Sequence, residues 1–398
     1  MFSHRSSPKR AASLAILLMV ISQLGETIYL PALPAMAVTL DTDPAYVQMI
    51  LAFFLISFGT SLFIYGPLSD YYGRRPIILG SSLLFIGGAF AAALSPNIVW
   101  LLCSVVVLGF GFGTGGLMGR TLLRDLFSGV ALQKAAAWMG IAAVISPIIA
   151  PIMGAHFLEW WGWQANFVFI GCTGIFITAL MYFFLEETNT FIGQMPLNAK
   201  KIIKSYGAVF NHPQFLGNIM ILSIITAVIM AYEVAAPFVL QEDLGLTPVT
   251  YAQVAIVPII GFLVGSYLAE RLSGVFSTEQ LVRLGLFVSL LSGVIMLTCG
   301  YAGLFTVTSI VAPMTLYLIG CGLIYPAATA GGLMPFAAMA GIAGALMGAI
   351  QNITAGLATV IFAIVDYHDA LPLAWALTIG SALSIVCYYR YLQKSVTH

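Results

Sequence analysis

Charge is what this sequence has least of. Only 8% of its 398 residues are Asp, Glu, Lys or Arg, and 60% are hydrophobic; a soluble domain carries about 25% charge. A water-soluble fold cannot cover itself with so few charges, so the solvent that fits is a lipid bilayer. The 15 basic and 15 acidic residues cancel, which leaves no basic field for a nucleic-acid partner. The five cysteines (Cys103, Cys172, Cys299, Cys321, Cys387) sit in apolar runs without pairing or metal-ligand spacing. They read as small core residues. His156 and His368 are too isolated to suggest a metal site. The chain has no P-loop, no G-x-S-x-G and no paired carboxylates, so neither an ATP-driven pump nor an enzyme is expected.

Long apolar runs are what it has instead. A bilayer core of about 30 Å needs about 20 such residues per helix. Twelve runs qualify, near 11–33, 46–66, 77–95, 98–118, 135–157, 166–185, 214–238, 251–269, 283–301, 306–328, 339–364 and 372–391. Runs this long specify helices, because barrel strands are about half that length and alternate. The first run follows Arg5, Lys9 and Arg10 and superficially resembles a signal peptide. It is too long for one and contains Glu26, so it reads as a first membrane helix that doubles as the insertion signal.

An even number of spans puts both ends on one side. To that side fall Arg5, Lys9, Arg10, Arg74, Arg75, Arg120, Arg124, Lys134, Lys200, Lys201, Lys204, Arg271, Arg283, Arg390 and Lys394, all 15 basic residues. The opposite loops carry Asp41, Asp43, Glu159, Glu242, Asp243, Asp366 and Asp369. The positive-inside rule makes both termini cytoplasmic and supports the span count. The polar interval after the sixth span divides the chain into an N-terminal six-helix bundle (1–185), a cytoplasmic linker (186–213) and a C-terminal six-helix bundle (214–398). The halves echo each other. Glu26-Thr-Ile-Tyr-Leu-Pro31 corresponds to Glu233-Val-Ala-Ala-Pro237, and Gly66-Pro-Leu-Ser-Asp70 to Ser266-Tyr-Leu-Ala-Glu270 with Arg271 following. Together these matches favour a duplicated unit.

Between the second and third spans, Gly66-Pro-Leu-Ser-Asp70-Tyr-Tyr-Gly73-Arg74-Arg75-Pro76 matches the cytoplasmic signature of the major facilitator superfamily, G-x-L-x-D-x-x-G-R-[KR]. It is expected to form a short hinge. Gly66 and Gly73 would allow close packing and positive φ, Asp70 would accept hydrogen bonds at a helix N-terminus, and Arg74 and Arg75 would pair with a carboxylate such as Asp125. In the fifth span, Ala142-x-x-x-Ser146-Pro147-x-x-Ala150-Pro151-x-x-Gly154-Ala155 resembles the superfamily's antiporter motif, with small residues for packing and two prolines expected to bend the helix. Gly111-Phe-Gly113-Thr-Gly115-Gly116 fits a dinucleotide pattern but lies inside an apolar span, so close helix packing is the expected role.

Over essentially its full length the chain resembles the drug:proton antiporters of that superfamily, in the branch of multidrug-resistance D-type and Bcr/CflA-type exporters. The resemblance is carried by Gln23-x-x-Glu26-Thr-Ile-Tyr29-Leu-Pro31-Ala, Gly111 to Leu126, Ser146-Pro147, Glu187-Thr188, Glu233 and Gly344 to Ile353. Val105 and Leu108 stand where proton-coupled relatives commonly have arginine and glutamine, and Glu26 stands where this branch has glutamine. The resemblance implies an all-α membrane protein with the major facilitator fold, twelve transmembrane helices in two six-helix bundles. It further implies a bacterial inner-membrane location and a monomer that exports amphipathic or cationic small molecules by alternating access. The H⁺ gradient drives such export without a cofactor. One physiological solute, such as a metabolite or siderophore, is the alternative cargo.

Of the acids, only Glu26 and Glu233 lie well inside spans. A charge at that depth costs several kcal/mol, so such residues face a cavity or carry a proton. Glu233 is the first candidate for the proton and cation site, with Glu26 contributing charge from the other half. Candidate cavity-lining groups are Gln23, Tyr29, Phe53, Tyr232, Gln253, Tyr317, Tyr325, Gln351 and Asn352; aromatics suit flat or cationic molecules. The orientation is testable. A green fluorescent protein fused after His398 is expected to fluoresce and alkaline phosphatase at the same point to stay inactive; the opposite pattern reverses the topology.

Overall fold

The bilayer offers backbone amides no water, so a spanning chain must bond them within itself. In the computed structural model, which describes residues 8–189, 192, 199–365 and 371–392, every regular element among the described residues is helical. Arg5, Asp366, His368, Asp369 and Lys394 lie outside the described residues. The first half holds α1 (Pro8–Thr27), α2 (Leu33–Thr39), α3 (Pro44–Tyr72), α4 (Arg74–Ala93), α5 (Ile98–Phe112), α6 (Thr114–Leu126), α7 (Gly129–Trp161) and α8 (Gln164–Phe184). After α9 (Ala199–Phe210) come α10 (Pro213–Phe238), α11 (Pro248–Val254), α12 (Ile256–Leu272), α13 (Thr278–Tyr301), α14 (Val307–Leu333), α15 (Ala340–Ala363) and α16 (Leu371–Cys387). Joined end to end where they abut, they make 12 helical runs long and apolar enough to cross a membrane, the number expected. The polar interval is more than a connection, because α9 occupies twelve of its residues.

Two compact units result: residues 1–43 with 53–203, and residues 44–52 with 204–398. Within the first, α1 packs on α6, α7 and α8, while α4 packs on α5 and α8. Within the second, α10 packs on α14, α15 and α16, while α13 packs on α14 and α16. Counted by span, these five pairs fall at corresponding positions in the two halves, as a duplicated unit would place them.

Small residues set how close the helices come, since lipid provides no hydrophobic drive between them. A Cβ on Gly111 of α5 would strike the Phe85 backbone of α4, and one on Gly109 the Phe54 carbonyl of α3. In the second unit a Cβ on Gly322 of α14 would strike the Phe262 carbonyl of α12. The glycine-rich Gly111–Gly116 segment is therefore a packing surface, with Gly113 against Ser61 and Gly115 against Ser22.

The Gly66–Pro76 segment differs from the expected hinge. Gly66 to Tyr72 complete α3, and only Gly73 interrupts the helix, at φ +101°. Gly66 is helical with open space where a Cβ would point, so neither close packing nor positive φ requires it. Asp70 lies in the last turn of α3, where carbonyls rather than amides are unpaired. Its carboxylate takes Arg74 instead (Nη1–Oδ1 2.6 Å), and Arg74 also meets Ser69 and, at 3.1 Å through Nε, Asp125. The anion at the N-terminus of α4 is Glu187, accepting from the Arg74 and Arg75 amides at 2.8 and 3.0 Å. Asn189 closes the other end, donating its amide to the Asp70 carbonyl at 2.8 Å. Arg75 does not reach Asp125; it donates to the Tyr182 carbonyl near the end of α8 at 2.7 Å. One short segment of chain thus gives the N-terminus of α4 the negative charge it favours and the C-terminus of α3 a neutral donor.

Two predictions follow from this packing. Gly111→Ala should lower stability by about 1–3 kcal/mol through overpacking, whereas Gly66→Ala should leave it within about 0.5 kcal/mol; heating purified protein and measuring the surviving monodisperse fraction ranks them. Removing the α4 cap by Glu187→Ala should cost about 1–2 kcal/mol, with Glu187→Gln in between. Equal melting of all three proteins would show the cap to be dispensable.

Candidate functional site

In each unit an acidic residue stands four or five residues ahead of a proline near which a membrane helix leaves regular α geometry. Pro31 has no N–H to give the Thr27 carbonyl, and α1 ends at Thr27; a 3-10 turn, Leu30–Ala32, leads into α2. Glu26 is in that last turn, part-buried, and no hydrogen bond or ion pair reaches it among the described residues. Gln23, one turn earlier and also part-buried, is likewise not bonded to it. Beside the break, Gly154 of α7 closes on the Ile28 carbonyl, where a Cβ would collide, and on the Asn166 amide. Asn166 is fully buried, and neither of its amide atoms has a hydrogen-bond partner; the Thr27 hydroxyl shares that condition. Buried polar groups are nearly always paired, so this pair marks the break as chemically unfinished. Asn166 escaped the sequence reading because an amide just inside a span start looks like a loop residue.

The antiporter-like motif sits on the same side of α1. Helix α7 runs uninterrupted from Gly129 to Trp161 through Pro147 and Pro151, and the Ser146 hydroxyl donates to the Ala142 carbonyl at 2.8 Å. Its small residues do the expected work at Gly154.

In the second unit Glu233 lies on α10, part-buried, four residues before Pro237. Pro237 cannot donate to the carbonyl of Glu233 itself, and α10 gives way to a wider π turn at Val239–Asp243. Such turns recur at functional sites. Tyr232 and Tyr251 are buried and close enough to Glu233 to interact electrostatically with it. Tyr251 was not anticipated. Gln253, two residues on, falls on the opposite face of α11 and is exposed.

Other candidates divide. Tyr325 donates to the Gln351 carbonyl oxygen at 3.4 Å and packs edge-on against Phe262. The Gln351 side-chain N–H group has no partner. Asn352 turns back to its own helix, donating to the Gly348 carbonyl at 2.8 Å, so the two adjacent amides do not act together. Tyr29 is wholly buried and stacks on Phe167 with ring centroids 5.6 Å apart. Tyr317 is 1% exposed and hydrogen-bonded to Cys321. Both are packing residues of their units rather than surfaces open to a ligand. Phe53 is part-buried on α3.

Known proteins fit this architecture. The family model described as Major Facilitator Superfamily matches residues 15–363. The chain is 31% identical to multidrug resistance protein D of Escherichia coli (strain K12), over 94% of this chain and 93% of the relative. It is 25% identical to a bicyclomycin resistance protein homolog of Haemophilus influenzae, over 94% of each. Among solved structures, a D-xylose-proton symporter superposes with a TM-score of 0.77 at 14% identity, covering 96% of this chain and 97% of that one. With a family model spanning most of its length and a relative above 30% identity, this chain belongs to the Major Facilitator Superfamily.

Proposed function

We propose that this protein is a proton-coupled efflux antiporter that moves amphipathic or cationic compounds out of the cytoplasm. It would work as a monomer in a bacterial inner membrane with both termini inside. The observation that carries the reading is the pair of carboxylates, Glu26 and Glu233, each four or five residues before a proline near which the membrane helix leaves regular α geometry. Broken helices at membrane depth are where transporters of this kind hold ions and substrates. The names of the resistance-protein relatives point the same way.

The chemistry runs on competition. An ionised carboxylate in a low-dielectric span is costly and is relieved by a proton or a cationic substrate. Proton and cation therefore exclude each other at Glu233, and inward proton loading releases cargo outward. Tyr232 and Tyr251 offer π faces to a cation. Glu26 adds negative charge without a partner to neutralise it. The Tyr325–Gln351 pair, with its unused N–H group, supports the second reading, a dedicated exporter of one solute that bears a hydrogen-bond acceptor.

In vesicles reconstituted with the protein, a cationic dye should release protons on binding. Glu233→Gln should abolish that release and cut dye transport by at least about tenfold, as loss of a coupling group demands; Glu26→Gln should weaken it less. Proton release unchanged in both variants removes the carboxylates from coupling. Resistance of overexpressing cells to several unrelated cations supports the first reading, and to one compound the second.

A further inference from the structure

Helix α9 is a feature the transport reading leaves unused. Its sequence, Ala-Lys-Lys-Ile-Ile-Lys-Ser-Tyr-Gly-Ala-Val-Phe, contains no acidic residue. Lys200 and Lys204, four apart, share one stripe and are exposed. Ile203 and Phe210, seven apart, share the adjoining stripe and are 68% and 43% exposed. Val209 is fully buried and fixes which edge of the helix is turned away. Neither Lys200 nor Lys204 forms an ion pair among the described residues. Exposed large apolar groups bordered by unpaired ammonium groups suit a surface that is greasy below and anionic above.

Chain geometry supplies that surface. Only Asn211 and His212 separate Phe210 from Pro213, the first residue of a membrane span. The turn is hydrogen-bonded on both sides, Asn211 to the Gly207 carbonyl at 3.0 Å and Leu216 to the His212 carbonyl at 2.9 Å. Three residue steps reach at most about 11 Å, so the end of α9 stays at the membrane interface.

We propose that α9 lies on the bilayer surface where α10 enters it and binds anionic phospholipids, with Ile203 and Phe210 among the upper acyl chains and Lys200 and Lys204 on the headgroup phosphates. The ligand class is a phospholipid with net negative charge. A zwitterionic lipid pairs its own phosphate and leaves the lysines unsatisfied. The proposal rests on membrane embedding and the local helix, not on proton coupling.

Hydrogen exchange of the full-length protein in nanodiscs tests it. Peptides covering residues 199–210 are compared in pure phosphatidylcholine and in an equal mixture with phosphatidylglycerol, with α13 peptides as the internal reference. Phosphatidylglycerol should slow exchange in α9 by up to roughly 25-fold, about fivefold for each lysine near the surface. Lys200→Gln with Lys204→Gln should remove that gain, as should 1 M NaCl, which shortens the screening length from about 10 Å to about 3 Å. Identical exchange in the two lipids overturns the proposal, as does a gain that survives the double substitution. Protection persisting in lipid-free detergent also overturns it, because a protein segment would then be the cover.

Discussion

Backbone hydrogen bonding without water is the constraint on which everything else here depends. Inside hydrocarbon an unpaired amide or carbonyl costs several kcal/mol, so the spans are helices and any interruption must be met by something specific. Among the described residues the interruptions are the turn after Thr27, Gly113 between α5 and α6, the π turn after Phe238, Ala255 between α11 and α12, the 3-10 turn from Met334 and the π turn Tyr388–Leu392. The two that follow an acidic residue also carry a proline, which has no N–H to give the helix.

That logic also decides what could be read in advance. Twelve apolar runs and one-sided basic residues left no other architecture, and helix existence needed only composition. The Gly66–Pro76 segment was recognisable as a motif, yet its geometry was not, because nothing local says that a Pro-Leu-Ser-Asp stretch keeps its helical bonds to Tyr72. Its anionic cap, Glu187, is 113 residues away from Arg74, and sequence spacing carries no sign of such a partner. Near Glu233 the buried Tyr251 was not legible, although Gln253 two residues on was singled out. Phasing a helix needs a fixed point, and a uniformly apolar span gives none. Gln351 and Asn352 looked equivalent until one amide turned to Tyr325 and the other to its own backbone.

The two units share their packing pairs and differ in their charges. The ion pairs of Arg74 with Asp70 and Asp125, and of His156 with Glu159, belong to the first unit. At the corresponding junction of the second, between α12 and α13, the cap is neutral: Ser277 and Gln280 bond each other's backbone reciprocally. Arg271 meets Tyr267 rather than an acid. Packing by small residues depends on volume, which both halves supply. An ion-pair network depends on several polar groups arriving together, so it can be present in one half and absent from the other without disturbing the helix arrangement.

The clasp that Glu187 and Asn189 place on α3 and α4 has a meaning in time. The helices it caps leave the ribosome long before the residues that cap them. At about 5–20 residues per second, 113 residues take roughly 6–23 s. During that interval the turn at Gly73 has arginines but no Glu187 carboxylate to hold its amides. The cap on the α3–α4 turn is therefore completed last, when the segment after α8 emerges and fastens a turn made long before it.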